Sequence, residues 1–303
     1  MARSIGKLLI PMVTPFRSDG EVDLIKAGEL AKWILRTKSP DSIIAGGTTG
    51  EFFSMNFEER AGLIQSVVSA VGKKIPVIAG TGCASTRETE RLTREAERIG
   101  VDMAMVVGPY YGQPDQKGIY DHFRKVAGST SLPVMLYNIP LFTGVNIEPE
   151  TLKRLSRIDN VVAIKEESGL NPLQSTRYLL SVPNGFSVYV GDDTMVLAIL
   201  AQGGCGCVSG GAQICGGDMK KLIDSIHSSD LERAQKINEK IFPLFEAFYQ
   251  NGRVNPIPLV KAGIELAGFD VGPPRSPLSP ATPSEVRNLR KVMKERNYLH
   301  TSQ

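Results

Sequence analysis

The chain has 303 residues, with 35 lysines and arginines against 32 aspartates and glutamates, a formal charge of +3. That near balance sets up no strong field for a nucleic-acid backbone, and 42% hydrophobic with 22% charged residues is the make-up of a globular enzyme rather than a disordered segment. No run approaches the roughly 20 apolar residues of a membrane span. The opening "MARSIGKLLIPMVTPF" has an apolar part too short for a secretory leader, broken by Pro11 and Pro15, so a cytoplasmic protein is expected.

Short apolar runs follow one another along the chain: "LLIPMV" (8–13), "SIIAG" (42–46), "IPVIAG" (75–80), "VDMAMVV" (101–107), "LPVMLY" (132–137), "NVVAIK" (160–165), "FSVYVG" (186–191) and "CGCVSG" (205–210). Runs that are apolar throughout, rather than alternating, are strands buried on both faces, as in a parallel sheet. Between them lie charged amphipathic stretches. Over 85–99, Leu92, Ala96 and Ile99 fall at helical spacing, with Ser85 or Thr86 to cap the start and Gly100 the end; residues 57–71 and 148–157 behave alike. Eight strands alternating with helices predict an α/β fold, a (β/α)8 TIM barrel. The competing doubly wound sheet lacks its glycine-rich turn, since "TPFRSDGE" has a single glycine.

After residue 211 four helices are expected, in "GGDMKKLIDSIHSS", "DLERAQKINEKIFPLFEAFYQN", "NPIPLVKAGIELAG" and "TPSEVRNLRKVMKERNYL". The first completes the barrel. The other three form a C-terminal appendix, which divides the chain into a catalytic barrel over 1–229 and a helical extension over 230–303. "FDVGPPRSPLSPATP" is too rich in proline for helix or strand. Cys83, Cys205, Cys207 and Cys215 read as buried free thiols. With His122, His227 and His300 in helical stretches elsewhere, no metal site is expected.

Barrels of this kind place their chemistry at the C-terminal ends of the strands. There the sequence sets "GGTTGEF" (46–52), "GPYYGQP" (108–114), "YNIPLFTG" (137–144), Lys165, "GDD" (191–193) and "SGGAQ" (209–213). A lysine after a strand can reach solvent or pair with Glu166 or Glu167. In the narrow lumen above a barrel it loses hydration instead, which favours the neutral amine. A neutral amine attacks a ketone and forms a Schiff base, which makes or breaks a carbon–carbon bond without a metal or other cofactor. Tyr137, ending the neighbouring strand, is the candidate proton shuttle. Gly47, Thr48 and Thr49 offer backbone amides and hydroxyls to a carboxylate. Gly191, Asp192 and Ser209 are further candidate substrate contacts.

In this order and spacing, "GTTGE", "YNIP" and "IKE", with "PMVTPF", "GPYY", "IKEESG", "GDD", "NPIPLVKAG" and "RSPLSP" around them, the sequence resembles the pyruvate-dependent class I aldolase/lyase family that includes dihydrodipicolinate synthase, N-acetylneuraminate lyase and 2-keto-3-deoxygluconate aldolase. The resemblance covers nearly the whole chain. It implies that Lys165 forms the Schiff base with pyruvate and that Tyr137 gives and takes the proton. It also implies that Thr48 and Thr49 bind the pyruvate carboxylate, with Thr48 in a hydroxyl relay, and that Val208 makes a main-chain contact. Tyr111 then reaches in from a neighbouring subunit to complete the relay, which implies a dimer at least and, by the family's habit, a homotetramer. One position departs. Typical dihydrodipicolinate synthases carry an arginine five residues after the tyrosine, for the carboxylate of aspartate semialdehyde; here it is Phe142, which cannot form that ion pair. The expectation drawn from it is cleavage of a 2-keto-3-deoxy sugar acid, such as 2-keto-3-deoxygluconate, to pyruvate and a small neutral aldehyde. Dihydrodipicolinate synthase is the alternative, and a barrel that binds a keto acid without catalysis is the rival of another class.

Overall fold

A computed structural model describes residues 4–299; of the histidines named above, His300 lies outside them. Every apolar run forms a strand: β1 (Leu8–Pro11), β2 (Ser42–Ala45), β3 (Val77–Gly80), β4 (Met103–Val107), β5 (Val134–Asn138), β6 (Val161–Glu166), β7 (Ser187–Val190) and β8 (Gly206–Val208). Each pairs in parallel with its sequence neighbours, and β8 returns to β1, giving a closed eight-stranded barrel. The strands are buried almost throughout, as continuous apolar runs require. Closure needs Gly206, because a Cβ there would fall 2.1 Å from the Lys7 carbonyl oxygen.

The surrounding helices are α1 (Leu24–Arg36), α2 (Phe57–Val71), α3 (Thr86–Ile99), α4 (Gln116–Ala127), the single turn α5 (Pro140–Thr143), α6 (Pro149–Leu155), α7 (Pro172–Ser181), α8 (Val196–Ala201) and α9 (Ala212–His227). Their starts are set by sequence. Asn56 and Glu59 cap α2 reciprocally, and Gly100 closes α3 at φ +94°. Ser85 stands at the cap of α3 without a side-chain capping bond. The three expected C-terminal helices follow as α10 (Leu231–Phe248), α11 (Ile257–Leu266) and α12 (Pro283–Glu295). Cys207 and Cys215 are buried thiols, whereas Cys83 and Cys205 are only half-buried; none is in a disulfide. No helix among the described residues is long and apolar enough to cross a membrane.

The C-terminal helices dock onto the barrel through a buried ion pair. Glu51, at the end of the "GTTGE" turn, holds a left-handed φ of +57°. Its carboxylate meets the Lys261 ammonium of α11 at 2.7 Å, with both side chains almost wholly excluded from solvent. Arg275 donates its backbone N–H to Glu51 Oε2 at 2.8 Å, and Lys261 Nζ donates to the Pro273 carbonyl at 2.9 Å. Burial raises the Glu51 pKa and lowers that of Lys261. The pair and its added hydrogen bonds offset that desolvation.

Candidate active site

The barrel register sets the centre of the site. Tyr137 near the end of β5 lies opposite Lys165 of β6. Both point into the lumen, and both are nearly inaccessible: Lys165 is 4% exposed and Tyr137 1%. Side chains alternate along a strand, so Glu166 turns away. It is buried and accepts from Asn138 Nδ2 at 2.9 Å and from the Ser168 amide at 2.8 Å. Glu167 returns to the lumen. Its backbone N–H continues the ladder to the Asn138 carbonyl, and its Oε2 lies 2.8 Å from Lys165 Nζ. The same oxygen accepts the Tyr137 hydroxyl at 2.6 Å, and the ammonium sits 3.9 Å from the Tyr137 ring centroid. Burial and the neighbouring Glu167 carboxylate hold the Tyr137 pKa well above the usual phenol range, while a hydrogen bond with Thr48 pulls the other way.

Above this cluster opens a cleft towards solvent. Thr48, Thr49, Tyr137, Phe142, Lys165, Gly191, Asp192 and Val208, all expected from sequence, line it. Thr48 and Thr49 open a single 3-10 turn, Thr48–Gly50. Gly191 makes room for the lysine: a Cβ there would fall 2.6 Å from Lys165 Cε and 2.8 Å from Glu167 Oε2. Phe142, on α5, is 38% exposed at the mouth.

Three expected residues lie elsewhere. Ser209 follows Val208 and, by alternation, points away from the lumen. It is fully buried, and its hydroxyl accepts the Ala212 amide at 3.0 Å and bonds to Asp193. Gly47 sits one layer lower, against Met105 and Ile44, beside a small void lined by Arg60, Gly80 and Tyr137. Tyr111 is 95% exposed with φ +68° and does not reach the cleft of its own chain.

The sequence reading missed several cleft residues. Glu167 could have been placed by counting two from Lys165. Asp193 follows Asp192 into the cleft. One of its oxygens accepts the Gly211 amide at 2.8 Å, the other is buried without a hydrogen-bond partner, and burial raises its pKa to about 7. From the C-terminal helices come Phe245, Phe248 and Tyr249, and then Val254, Asn255 and Ile257. Nothing local in the sequence marks these as cleft residues, because their place depends on how α10 and α11 dock. Among the described residues, no group of three or more His, Cys, Asp and Glu side chains is arranged to hold a metal ion.

Comparison with known proteins agrees with this geometry and corrects the substrate expectation. Residues 4–296 match the profile described as the dihydrodipicolinate synthetase family. A relative from Desulforudis audaxviator, named 4-hydroxy-tetrahydrodipicolinate synthase, is 43% identical over 99% of this chain and 100% of its own. One of the same name from Moorella thermoacetica is 41% identical over 97% and 99%. Among solved structures, dihydrodipicolinate synthase from Cyanidioschyzon merolae, with lysine bound, superposes with a TM-score of 0.93 at 38% identity, covering 97% of this chain and 99% of that one. The enzyme from Bacillus anthracis gives 0.91 at 38%, covering 96% and 98%. Relatives this similar over their whole length overturn the expected 2-keto-3-deoxy sugar-acid cleavage and the 2-keto-3-deoxygluconate aldolase affiliation. Phe142 is a single half-exposed position at the cleft mouth, and one such substitution does not outweigh likeness over the whole chain. The chain belongs to the dihydrodipicolinate synthetase family, whose members are class I carbon–carbon lyases and synthases that take pyruvate as an imine on a lysine and use no metal or other cofactor.

Proposed function

We propose that the protein is a 4-hydroxy-tetrahydrodipicolinate synthase, condensing pyruvate with aspartate semialdehyde. The observation that carries the reading is the match to synthases of that name over whole chains at 41–43% identity. Lys165 adds to the pyruvate C2 carbonyl, water leaves, and the protonated imine acidifies the neighbouring methyl group. Loss of a methyl proton gives an enamine, whose carbon attacks the aldehyde. The amino group of the bound semialdehyde then adds at C2 and displaces Lys165, closing the ring and restoring the free lysine. Tyr137 and Thr48 carry protons to and from the reacting oxygens. The amides of Thr48 and Thr49, with the backbone at Val208, hold the pyruvate carboxylate.

The charges lining the cleft bear on how the semialdehyde sits. Lys165 is the one cationic lining residue, against Glu167, Asp192 and Asp193. An aldehyde that carries an ammonium finds acidic partners there, Asp192 foremost. Its carboxylate meets Phe142 in place of an arginine, which implies weak binding of that end. In the working assembly, a homotetramer built from dimers, Tyr111 of one copy completes the hydroxyl relay of its neighbour.

A paired assay tests the reading: pyruvate with aspartate semialdehyde against pyruvate with glyceraldehyde. Condensation with the semialdehyde is expected to be at least about tenfold faster in kcat/KM, the amount one lost ion contact is worth. Faster turnover of glyceraldehyde would overturn it. Borohydride with pyruvate is expected to add a pyruvate-derived mass to the peptide that carries Lys165.

A further inference from the structure

We propose that Glu167 is a catalytic residue, the carboxylate that takes the proton from the Lys165 ammonium and stores the protons exchanged during imine and enamine formation. The inference rests on the reading of Lys165 as the imine-forming lysine and deepens it.

The geometry carries the argument. Glu167 is the one carboxylate within ion-pair distance of Lys165 among the described residues, at 2.8 Å. It is held there by β6, because the ladder runs on through its amide to the Asn138 carbonyl. An ammonium has no lone pair with which to attack a carbonyl, so the lysine must give up a proton before it can react. Glu167 Oε2, in contact with Lys165 Nζ, is the group placed to remove that proton. Tyr137 is the relay to Glu167 rather than the place where the proton is stored. Its hydroxyl donates to Glu167, so within that pair the carboxylate is the acceptor. Burial and Glu167 itself also oppose formation of a phenolate. Asp192 is engaged with the Thr194 amide and hydroxyl, and Asp193 with the Gly211 amide. The charged and titratable groups facing Glu167 are Lys165 and Tyr137 in direct contact, with Glu166, Asp193 and Tyr249 within electrostatic reach.

The proton count closes. Lys165 passes one proton to Glu167 and adds to pyruvate C2 as the neutral amine. A proton moves from nitrogen to oxygen through Tyr137, giving a neutral carbinolamine. Glu167 returns its proton to the departing hydroxyl, which leaves as water, and the protonated imine remains beside a carboxylate once more. When the imine becomes an enamine, the methyl proton passes through Tyr137 to Glu167. When the enamine carbon attacks the aldehyde, the same proton goes to the new alkoxide. Glu167 ends each half-reaction as it began, and no further reactant is needed.

The test follows two readouts in the wild type, Glu167→Gln and Glu167→Asp between pH 6 and 9. One is the rate at which borohydride with pyruvate traps the Lys165 adduct, read by peptide mass. The other is exchange of the pyruvate methyl protons in deuterated water without any aldehyde, read by NMR. Glu167→Gln is expected to slow both by at least about 100-fold at pH 7, the scale of acid–base catalysis, with trapping recovering as pH rises and hydroxide takes the place of the missing carboxylate. Glu167→Asp, which keeps a carboxylate set back by one methylene, is expected to recover part of both rates and serves alone if the glutamine variant does not fold. Wild-type rates with an unchanged pH profile in either variant would overturn the role of Glu167 and leave the Lys165 imine standing. Absence of any Lys165 adduct in the wild type would instead remove the imine reading, and this proposal with it.

Discussion

Asp193 has one carboxylate oxygen on the Gly211 amide and the other buried without a hydrogen-bond partner, and burial raises its pKa to about 7 against an ordinary 3.8. The folded state therefore holds a proton that the unfolded chain gives up between about pH 4 and pH 7. Across that window stability falls as pH rises, and above it the loss is constant. Asp193→Asn keeps an oxygen for Gly211 and carries no charge. The difference in Tm between variant and wild type is expected to be near zero at pH 4 and to grow to several degrees in favour of the variant at pH 8, read by thermal melts across the range. A flat difference would show that Asp193 is not protonated in the fold. Lys165 and Tyr137 were legible in the sequence because a buried strand that ends on an amine, beside one that ends on a phenol, has few structural uses. Glu167 was not, because a glutamate two residues after a lysine reads as an ordinary ion pair until the alternation of β6 turns both into the lumen.

Each strand, with the helices α2, α3 and α6 and the four at the C-terminal end, could be read from apolar runs and capping residues, since these depend on local pattern and burial; α1, α4 and α7 were not placed individually. The small antiparallel bridge between Phe16 and Val22 and the turn at Thr48–Gly50 could not, because both are too short to carry a periodic pattern. The docking of α11 could not either, because it joins distant segments. Lys261 and Glu51 stand 210 positions apart in the sequence and meet only in the folded chain. Removing one partner leaves a buried charge without its counter-ion. Lys261→Met is expected to cost about 3–5 kcal/mol in denaturant melts, and to lower kcat by loosening the turn that holds Thr48 and Thr49. Glu51→Gln combined with Lys261→Met is expected to recover much of that stability. Equal losses in the single and double variants would mean that the pair is not what anchors the helix.

Tyr111, at 95% exposure in a single chain, is the residue whose role depends on more than one copy. If a neighbour's Tyr111 completes the hydroxyl relay, Tyr111→Phe lowers kcat by at least about tenfold while sedimentation shows an unchanged mass. A variant with full activity would end that assignment. The sequence could name Tyr111 only by resemblance, because the partner surface that would explain it is not a property of one chain.

The cleft draws on stretches of polypeptide far apart in the chain. Lys165, Tyr137 and Glu167 stand on β5, β6 and the residue beyond, Thr48, Thr49, Gly191 to Asp193 and Val208 come from the ends of other strands, and one wall comes from Phe245 to Val260 on α10, α11 and their connection. That wall is thus written in a different part of the gene from the lysine, tyrosine and glutamate it covers. Substitutions across Phe245 to Val260 can reshape the cleft while Lys165, Tyr137 and Glu167 stay where the barrel put them. A scaffold divided in this way can give rise to descendants that share one intermediate and differ in the molecule they join to it.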